Sequence, residues 1–437
     1  MQHIGIDIGT TSISTIIYDR DMQKTESAST PNSTWIPSAN HWEKTQDPAR
    51  IIALVKQSLN GLLAVHGEVK GIGVTGQMHG ILYIDEQGNA VSPLYTWQDA
   101  RGNEIYRDNK TYAGYLSELT GYPLATGYGL VTHFYNSVNN LVPANARRIC
   151  TIMDYAVMKL TGLKAPLTDY SNGASLGFFD VERLAFDVQA LEKAGIDVSF
   201  LPRLTNTDAS CGDFNSIPVF PAIGDNQAAF MGSVQNVEQS VHITVGTSSQ
   251  ISVFSEKYIK LPGLDTRPFP GGGYILVGAA LCGGSAFALL KSFFEQTLLF
   301  LGISEWDEDE IYRAMTSVAY QPDDLLKVST LFDGTRRDPS LKGAITGLSR
   351  ANFTPQNLTV GFLQGIAQEL HDFYQTIPDS IKSGKKALVG SGNGFKKNAL
   401  LRRVFEDIFN LDIKISYHDE EAALGACLIS LKKQEDC

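Results

Sequence analysis

The chain has 437 residues, of which 43% are hydrophobic and 19% are charged, and its formal net charge is −11. This length exceeds one ordinary hydrophobic core, so we expect two domains of about 200 residues each. The acidic balance, without a long Lys/Arg cluster, argues against a nucleic-acid surface. Five scattered cysteines without CxxC spacing predict reduced thiols rather than disulfides or a zinc site.

The N-terminus begins directly with a strand pattern and shows no leader of basic and then apolar residues. The apolar stretch 286–302 is interrupted by Lys291 and Glu295, which predicts a core helix rather than a membrane span. A cytoplasmic enzyme with no membrane partner is therefore the expectation.

The chain opens on a strand–turn–strand pattern. Apolar residues at 4, 6 and 8 alternate with polar ones up to Gly9-Thr10-Thr11-Ser12, and the run 13–18 predicts a returning strand. Bare N–H groups and hydroxyls of such a turn can approach phosphate oxygens closely. Asp7, just before the turn, could hold Mg²⁺ through water. An ordinary hairpin explains a single copy equally well.

The same pattern recurs well past the middle of the chain. Apolar residues at 241, 243 and 245 lead into Gly246-Thr247-Ser248-Ser249, and the run 251–254 follows. The repetition favours two turns that hold a polyphosphate over two unrelated hairpins. Thr244 stands where the first copy has Asp7, so only the first turn offers a carboxylate to a metal.

Between and beyond these turns, strand and helix signals alternate, which predicts two similar α/β domains around a cleft. The stretch 208–221, with two prolines, predicts a linker or a small irregular strand, and we place the domains at 1–221 and 222–437. Helices are predicted at 48–65, 112–119, 131–141, 155–160, 286–302, 308–319, 358–377 and 398–409, and further strands at 71–76 and 386–389.

Asp225 follows the apolar run 219–223 and Gly224, at a predicted strand end and helix start. There it could accept the proton of a substrate hydroxyl that attacks phosphorus, a role worth about 10²–10⁴ in rate. A helix N-terminus favours the ionised carboxylate and so makes a weak base, which phosphoryl transfer tolerates. An N-cap aspartate is the alternative.

Two further segments offer groups for a small polar ligand. Gln77, Met78 and His79 lie between two glycines, and the segment 96–101 combines Trp97 and Asp99 with an arginine. Aromatic faces stack on sugar C–H surfaces, while amide, carboxylate and guanidinium groups bind hydroxyls. The alternatives are a loop with a partly buried histidine, and a surface Asp–Arg pair beside a core tryptophan.

The glycine-rich segment 390–394 follows a predicted strand and precedes a predicted helix. Its glycines, with Asn393, could let a flat base and ribose lie against the backbone. A plain strand-to-helix turn explains the segment as well.

Taken together in chain order, these motifs resemble the FGGY family of carbohydrate kinases, whose fold belongs to the actin/hexokinase/Hsp70 superfamily. The resemblance covers essentially the whole chain and implies an α/β fold with two ribonuclease-H-like domains flanking a cleft. Within the family it is strongest to kinases of the seven-carbon ketose sedoheptulose, whereas xylulose kinases usually read Trp-Asn-Asp at 97–99. The segments that carry this similarity are 96–101, 125–129, 151–155, 169–175 and 331–339.

The resemblance implies roles for individual residues. Asp225 matches the catalytic base that binds and deprotonates the sugar hydroxyl, and Asp7 matches the metal-associated aspartate. The remaining matches are Thr10, Thr11, Ser12, Gly246 and Thr247 for the phosphates of ATP, Gly392 and Asn393 for its adenosine, and Gln77, Met78, His79, Trp97, Asp99 and Asn172 for the sugar.

The resemblance therefore implies an ATP- and Mg²⁺-dependent kinase that phosphorylates a primary hydroxyl of a ketose, with sedoheptulose 7-phosphate as the expected product. Its partners would be the sugar and ATP, and a homodimer is a further expectation. Ala100 replaces the family's usual glycine and the chain is short for the family, which leaves another ketose open. The alternatives are an actin-like or chaperone-like nucleotide switch and a sugar sensor without turnover.

Overall fold

The computed structural model describes residues 1–22, 24–320, 326–335, 338–416 and 420–435. The chain divides into two compact units, the first comprising 1–232, 267–273 and 418–437, and the second comprising 233–266 and 274–417. This division differs from the boundary predicted after residue 221. The helix Asp225–Ser233 (the Asp225 helix) and the helix Glu421–Glu435 (the C-terminal helix) both pack within the first unit.

The first unit is built on a six-stranded sheet. Its strand Gln2–Ile8 pairs antiparallel with Ser12–Asp19 and parallel with Val69–Gly76, so that Asp7 lies beside Thr75 in register. The predicted strand–turn–strand is therefore confirmed. The stretch predicted as a linker or a small irregular strand supplies two short strands of this sheet, and in the second of them Val219, fully buried, lies beside Ile72. The strand order is Gly212–Phe214, Ile217–Val219, Val69–Gly76, Gln2–Ile8, Ser12–Asp19, Lys24–Pro31.

The other elements of the first unit surround this sheet or extend it, and the predicted helix 48–65 is confirmed at both ends. Its helices are Pro48–Val65, Tyr112–Thr120, Gly129–Val138, Ile152–Thr161, Tyr170–Gly173, Val188–Lys193, Asp225–Ser233 and Glu421–Glu435, with 3₁₀ turns at Arg101–Asn103, Ala174–Leu176 and Val198–Phe200. Its short strands are Trp35–Ile36, Thr45–Gln46, Leu82–Ile84, Leu94–Tyr95, Ile105–Arg107, Lys110–Thr111, Arg148–Cys150, Leu167–Asp169, Phe179–Asp180, Ala185–Phe186 and Arg203–Thr205.

The second unit repeats the central arrangement of the first. Ser240–Val245 pairs antiparallel with Ser249–Ser255 and parallel with Ala387–Ser391, which places Thr244 beside Ser391. The six-stranded sheet has the order Asp265–Pro268, Tyr274–Ala280, Ser249–Ser255, Ser240–Val245, Ala387–Ser391, Asp412–Ile415, and Lys327–Ser329 pairs with Ala344–Thr346. The helices are Gly284–Phe300, Glu308–Thr316, Pro355–Gln375, Asp379–Lys382, Gly392–Lys397 and Ala399–Phe409.

Each unit has its own hydrophobic core, and the cysteines at 150, 211, 282 and 427 carry free thiols. Among the residues placed by the structure, no helix combines the length and apolarity needed to cross a membrane. Positions 336 and 337 of the segment 331–339 lie outside the described residues.

Glycines bring the C-terminal helix against the sheet of the first unit at backbone distance. A Cβ on Gly5 would lie 1.8 Å from the carbonyl oxygen of Ala423, and a Cβ on Gly73 would lie 1.8 Å from that of Ala426. The helix meets the Asp225 helix equally closely, because a Cβ on Gly425 would lie 1.8 Å from the carbonyl oxygen of Ala228. The strands Gln2–Ile8 and Val69–Gly76 and the Asp225 helix therefore all pack against the C-terminal helix at backbone distance.

We predict that Gly73→Ala destabilises the protein by about 3 kcal/mol or more, because a backbone atom rather than a flexible side chain must move. Gly61→Ala is the matched control, since Gly61 lies within the helix Pro48–Val65 with no heavy atom within 4 Å of its Cβ position. The control gains about 0.5–1 kcal/mol from helix propensity. Chemical denaturation measures both, and equal stabilities of the two variants would contradict the packing argument.

Candidate active site

The backbone of the first hydroxyl turn (residues 9–12) directs its carbonyl groups to protein donors. Asn32 donates from Nδ2 to the Gly9 oxygen at 2.8 Å and from its backbone N–H to the Thr11 oxygen at 2.8 Å. Gln46 Nε2 donates to the Thr10 oxygen at 2.9 Å. Within the described part of the chain, the amide groups of Thr10 and Thr11 have no protein acceptor. The turn thus presents N–H groups and hydroxyls as an anion cradle does.

The carbonyl groups of the second hydroxyl turn (residues 246–249) also accept hydrogen bonds from the protein, here from main-chain donors. The N–H of Gly284 donates to the Gly246 oxygen at 2.7 Å, and the N–H groups of Gly283 and Ser285 donate to the Thr247 oxygen at 3.0 and 3.1 Å. Gly246 and Thr247 are exposed. In both units, therefore, the backbone carbonyls of the turn accept hydrogen bonds from the protein. The hydroxyls of the turn stay accessible.

Gly392 and Asn393, predicted to lie in a glycine turn, instead begin the helix Gly392–Lys397. Gly392 has a φ of +82°, and a Cβ there would lie 2.6 Å from the Val245 oxygen. The glycine is therefore required by the close approach of this helix to the strand that precedes the second hydroxyl turn. Asn393 is exposed, and its contact with adenosine stays a prediction.

Two other carboxylates of the first unit act on Asp7. Burial raises the pKa of Asp7 to about 7, with further increases from the negative charges of Asp225 and Glu420. Asp7 is the next-to-last residue of the strand Gln2–Ile8, Asp225 begins its helix, and Glu420 directly precedes the C-terminal helix. A divalent cation would relieve this repulsion and restore the ionised form of Asp7.

Burial also raises the pKa of Asp225, to about 6, against the opposing effects of the Asn226 N–H and the Arg267 guanidinium. The sequence predicted a weak base at a helix N-terminus, and this expectation is wrong for the pKa because desolvation outweighs the helix end. A carboxylate with a pKa near the working pH is a better general base.

The loop 76–80 packs directly against the turn that leads to Asp225. A Cβ on Gly224 would lie 2.7 Å from Met78 Cε, so Met78 fills the space that this glycine leaves open. His79 has a φ of +71°, and its ring stacks on Tyr128 at 4.8 Å. His79 Nδ1 donates to the Ser175 carbonyl at 2.7 Å, which fixes the orientation of the ring.

Gln77 and Trp97 connect the loop 76–80 and the segment 96–101 to the first hydroxyl turn. The Trp97 indole N–H donates to Thr10 Oγ1 at 3.0 Å, and Trp97 is 47% exposed. Gln77 Nε2 donates to Gln46 Oε1 at 2.8 Å, while the buried Gln77 Oε1 has no partner in the described structure. An open aromatic face and an unpaired amide oxygen suit a ligand with C–H surfaces and hydroxyl donors.

Asp99 is fully buried, and both of its oxygens are occupied. Arg101 donates from Nε to Oδ1 at 2.6 Å and from Nη2 to Oδ2 at 3.0 Å, and the Lys44 N–H also donates to Oδ2 at 3.0 Å. Arg101 lies over the Tyr95 ring at 4.2 Å. These contacts give Asp99 a role in ordering the Trp97 loop, and its direct contact with a sugar stays a prediction.

Asn172 is also fully buried, within the short helix Tyr170–Gly173. Its Nδ2 donates to Thr151 Oγ1 at 3.0 Å and to Asp154 Oδ2 at 3.2 Å, while its Oδ1 lacks a partner in the described structure. Burial raises the pKa of Asp154 to about 7. Asn172 thus belongs to a buried polar network behind the site, and its role as a sugar ligand stays a prediction.

Sequence reasoning missed several residues that the fold brings to the site. Glu420 is more than 400 positions from Asp7, and no local pattern connects them. The bracing side chains of Asn32 and Gln46 were missed for the same reason. Thr75 had one available signal, because it lies two residues before Gln77 at the end of a predicted strand.

The donor set fits Mg²⁺ held mainly by substrate phosphates and water. No group of three or more His, Cys, Asp and Glu side chains with metal-binding geometry occurs among the residues for which coordinates are described. Mg²⁺ commonly keeps several waters and takes only one or two carboxylates beside phosphate oxygens. Asp7, half-buried and adjacent to the first hydroxyl turn, is the carboxylate that meets this description.

Comparison with protein-family models gives two matches that together span most of the chain. Residues 2–232 match the FGGY family of carbohydrate kinases, N-terminal domain, and residues 241–432 match the C-terminal domain of the same family. Among characterised proteins, the chain is 28% identical to sedoheptulokinase of Mus musculus, covering 98% of this chain and 97% of the relative. It is 26% identical to xylulose kinase of Staphylococcus xylosus, with 98% and 90% covered.

Solved structures share the fold at lower identity. The chain superposes on xylulose kinase from Rhodospirillum rubrum with a TM-score of 0.81 at 20% identity, covering 99% of this chain and 89% of that one. Plasmodium falciparum glycerol kinase with ADP gives a TM-score of 0.78 at 20% identity, with 99% and 90% covered. These likenesses confirm the two-domain α/β fold.

The raised pKa of Asp7 predicts a pH-dependent stability. Between about pH 4 and 7 the folded protein binds a proton at Asp7 that the unfolded chain releases, so this group stabilises the fold at low pH and destabilises it as pH rises. Without nucleotide or Mg²⁺, Asp7→Asn should raise Tm at pH 8 by about 2–4 °C and have little effect at pH 4.

Asp85→Asn is the matched control, because the pKa of Asp85 is shifted in the opposite direction to that of Asp7. The Asn89 N–H holds the pKa of Asp85 below its usual range, so its contribution is present at pH 8 and lost in acid. Thermal melts at both pH values distinguish the variants. A lower Tm for Asp7→Asn than for wild type at pH 8 would contradict the assigned environment.

Proposed function

Because the chain belongs to the FGGY family of carbohydrate kinases, we propose that it transfers the γ-phosphoryl group of ATP to a primary hydroxyl of a ketose, with sedoheptulose as the preferred sugar. The first unit would bind the sugar, and the second unit would bind most of the nucleotide. The observation that carries this proposal is the Asp225 carboxylate, whose pKa of about 6 suits a general base.

The surroundings of Asp225 support a sugar-sized site in the first unit. Met78 packs against Gly224, and the His79 ring lies in a loop held by Ser175. Trp97 adds an exposed aromatic face beside the first hydroxyl turn. An actin-like or chaperone-like switch has no need of this combination of groups.

In the proposed mechanism, Asp225 accepts the proton of the primary hydroxyl as that oxygen attacks the γ-phosphorus. The P–O bond to ADP breaks as the new P–O bond forms, and ADP carries away the electron pair. The hydroxyls of residues 10–12 and of Thr247, with the N–H groups of Thr10 and Thr11, would stabilise negative charge on the phosphates.

Mg²⁺, the expected companion of ATP, would neutralise charge on the β- and γ-phosphates. Asp7 would hold it, directly or through water, and would be ionised in that state. Gly392 and Asn393 are proposed to lie against adenosine.

The choice of sedoheptulose rests on the segments that distinguish kinases within the family. Gln98 stands where xylulose kinases usually have asparagine, and a sedoheptulokinase is among the relatives that match over nearly the full length at 28% identity. Xylulose kinases match over a similar share at 26%. Xylulose is therefore the competing substrate that the assay must include.

Asp225→Asn should lower kcat by about 10²–10⁴-fold, because the amide cannot accept the hydroxyl proton. Binding of ATP, measured by isothermal titration calorimetry, should be nearly unchanged. Asp85→Asn makes the same chemical change in an exposed loop and should keep the wild-type rate. Turnover of Asp225→Asn at the wild-type rate would refute the assignment of the base.

Sugar-dependent ADP release tests the substrate. Across sedoheptulose, xylulose, ribulose, fructose and glycerol, we expect the highest kcat/KM with sedoheptulose. A higher value with xylulose would replace the proposed sugar and keep the kinase mechanism. ADP release that is independent of any sugar would favour the nucleotide-switch alternative, and ATP binding without release would favour a sensor.

A further inference from the structure

The peptide unit that precedes Asp225 is held at both of its polar ends by side-chain hydroxyls. Thr75 Oγ1 donates to the Ile223 carbonyl at 2.8 Å, and the Gly224 N–H donates to Ser171 Oγ at 3.0 Å. The Ile223 oxygen and the Gly224 nitrogen belong to the same peptide bond. Thr75 is fully buried and Ser171 nearly so, so water does not compete for these bonds.

We propose that Thr75 and Ser171 form a clamp that positions the Asp225 carboxylate for catalysis, and that both are positioning residues of the reaction. This inference rests on the proposed function of Asp225 as the base. It assigns to two residues a role that neither the resemblance nor the family match supplies.

The need for a clamp follows from the residue between it and the base. The residue is Gly224, and any side chain there would require Gln227 and Met78 to move, because a Cβ would lie 2.6 Å from Gln227 Oε1 and 2.7 Å from Met78 Cε. Glycine restricts the backbone less than any other residue. External hydrogen bonds to the preceding peptide therefore limit rotations that would displace Asp225.

The far side of the clamp is itself anchored. Ser171 Oγ donates to Asp169 Oδ1, which also accepts the Ser171 N–H at 2.8 Å. Because the Ser171 hydroxyl donates its proton to Asp169, a lone pair of Ser171 Oγ accepts the hydrogen bond from the Gly224 N–H. Thr75 belongs to the strand Val69–Gly76, beside Asp7 in register. The strand that carries Asp7 and the peptide before Asp225 are therefore both attached to Thr75.

The clamp also connects the base to the sugar-side segments. Thr75 lies two residues before Gln77, and Ser171 is adjacent to Asn172. Movement of either segment would thus be transmitted to the peptide before Asp225 through a single hydrogen bond. Positioning, rather than sugar affinity, is the property that these hydroxyls control.

The test measures kcat and the KM for sugar in Thr75→Val and Ser171→Ala, each of which removes one hydroxyl. Misplacing a reacting group by about 1 Å costs up to about 10²-fold in rate, so we expect kcat to fall about 10- to 100-fold. The KM for sugar should stay within about twofold, because the groups that contact the sugar are retained. Thr75→Ser, which keeps the hydroxyl, should restore most of the kcat lost in Thr75→Val.

Ser430→Ala is the matched control for loss of a buried hydroxyl. Ser430 Oγ contacts His3 Nδ1 at 3.0 Å and donates to the Cys427 oxygen, away from the clamp. This variant should lower Tm while kcat is unchanged. If Thr75→Val does not fold, Ser171→Ala alone carries the measurement.

Three results would overturn the clamp. Wild-type kcat in both Thr75→Val and Ser171→Ala, with Asp225→Asn inactive, would refute the clamp alone and leave the base assignment intact. Full activity of Asp225→Asn would refute the base and the clamp together. A rise in KM with unchanged kcat would likewise contradict a positioning role.

Discussion

The close packing of the C-terminal helix within the first unit is the constraint on which the site depends. Gly5 and Gly73 let this helix approach the two strands that end at Ile8 and Gly76, while Gly425 lets it meet the Asp225 helix. No side chain larger than hydrogen fits at these crossings. The same packing places Glu420 near enough to Asp7 to raise its pKa. Residues 420–435 and the strand Gln2–Ile8, far apart in sequence, thus form the surroundings of Asp7 together.

This arrangement has an energetic cost that is consistent with its chemistry. Burial raises the pKa values of Asp7 and Asp225, and the negative charges of Asp225 and Glu420 raise the pKa of Asp7 further, so the ligand-free site is destabilised near neutral pH. A cation and polyphosphate would remove that penalty on binding. Active sites often hold groups whose environment is unfavourable until the substrate arrives, and the hydroxyl clamp before Asp225 fits the same requirement for a fixed geometry.

Local patterns predicted much of the fold. The strand–turn–strand repeats and the helix 48–65 were predicted because alternation and helical spacing are local properties of the chain. The contacts of Glu420, Thr75 and Ser171 depend on tertiary packing and could not be predicted in this way. The sequence left open whether Asp99 and Arg101 bind a ligand or pair with each other, and the fold shows that they form a pair, which is buried rather than at the surface. The pKa of Asp225 was predicted in the wrong direction because burial, which is non-local, outweighs the helix terminus.

Characterisation of the product tests the central claim most directly. Mass spectrometry and phosphorus NMR of sedoheptulose incubated with the protein, ATP and Mg²⁺ would show whether a phosphoryl group reaches the sugar and at which oxygen. The account predicts a monophosphate on the primary hydroxyl, formed in equal amount to ADP, and its loss in Asp225→Asn. Inorganic phosphate released with every tested sugar unmodified would contradict it.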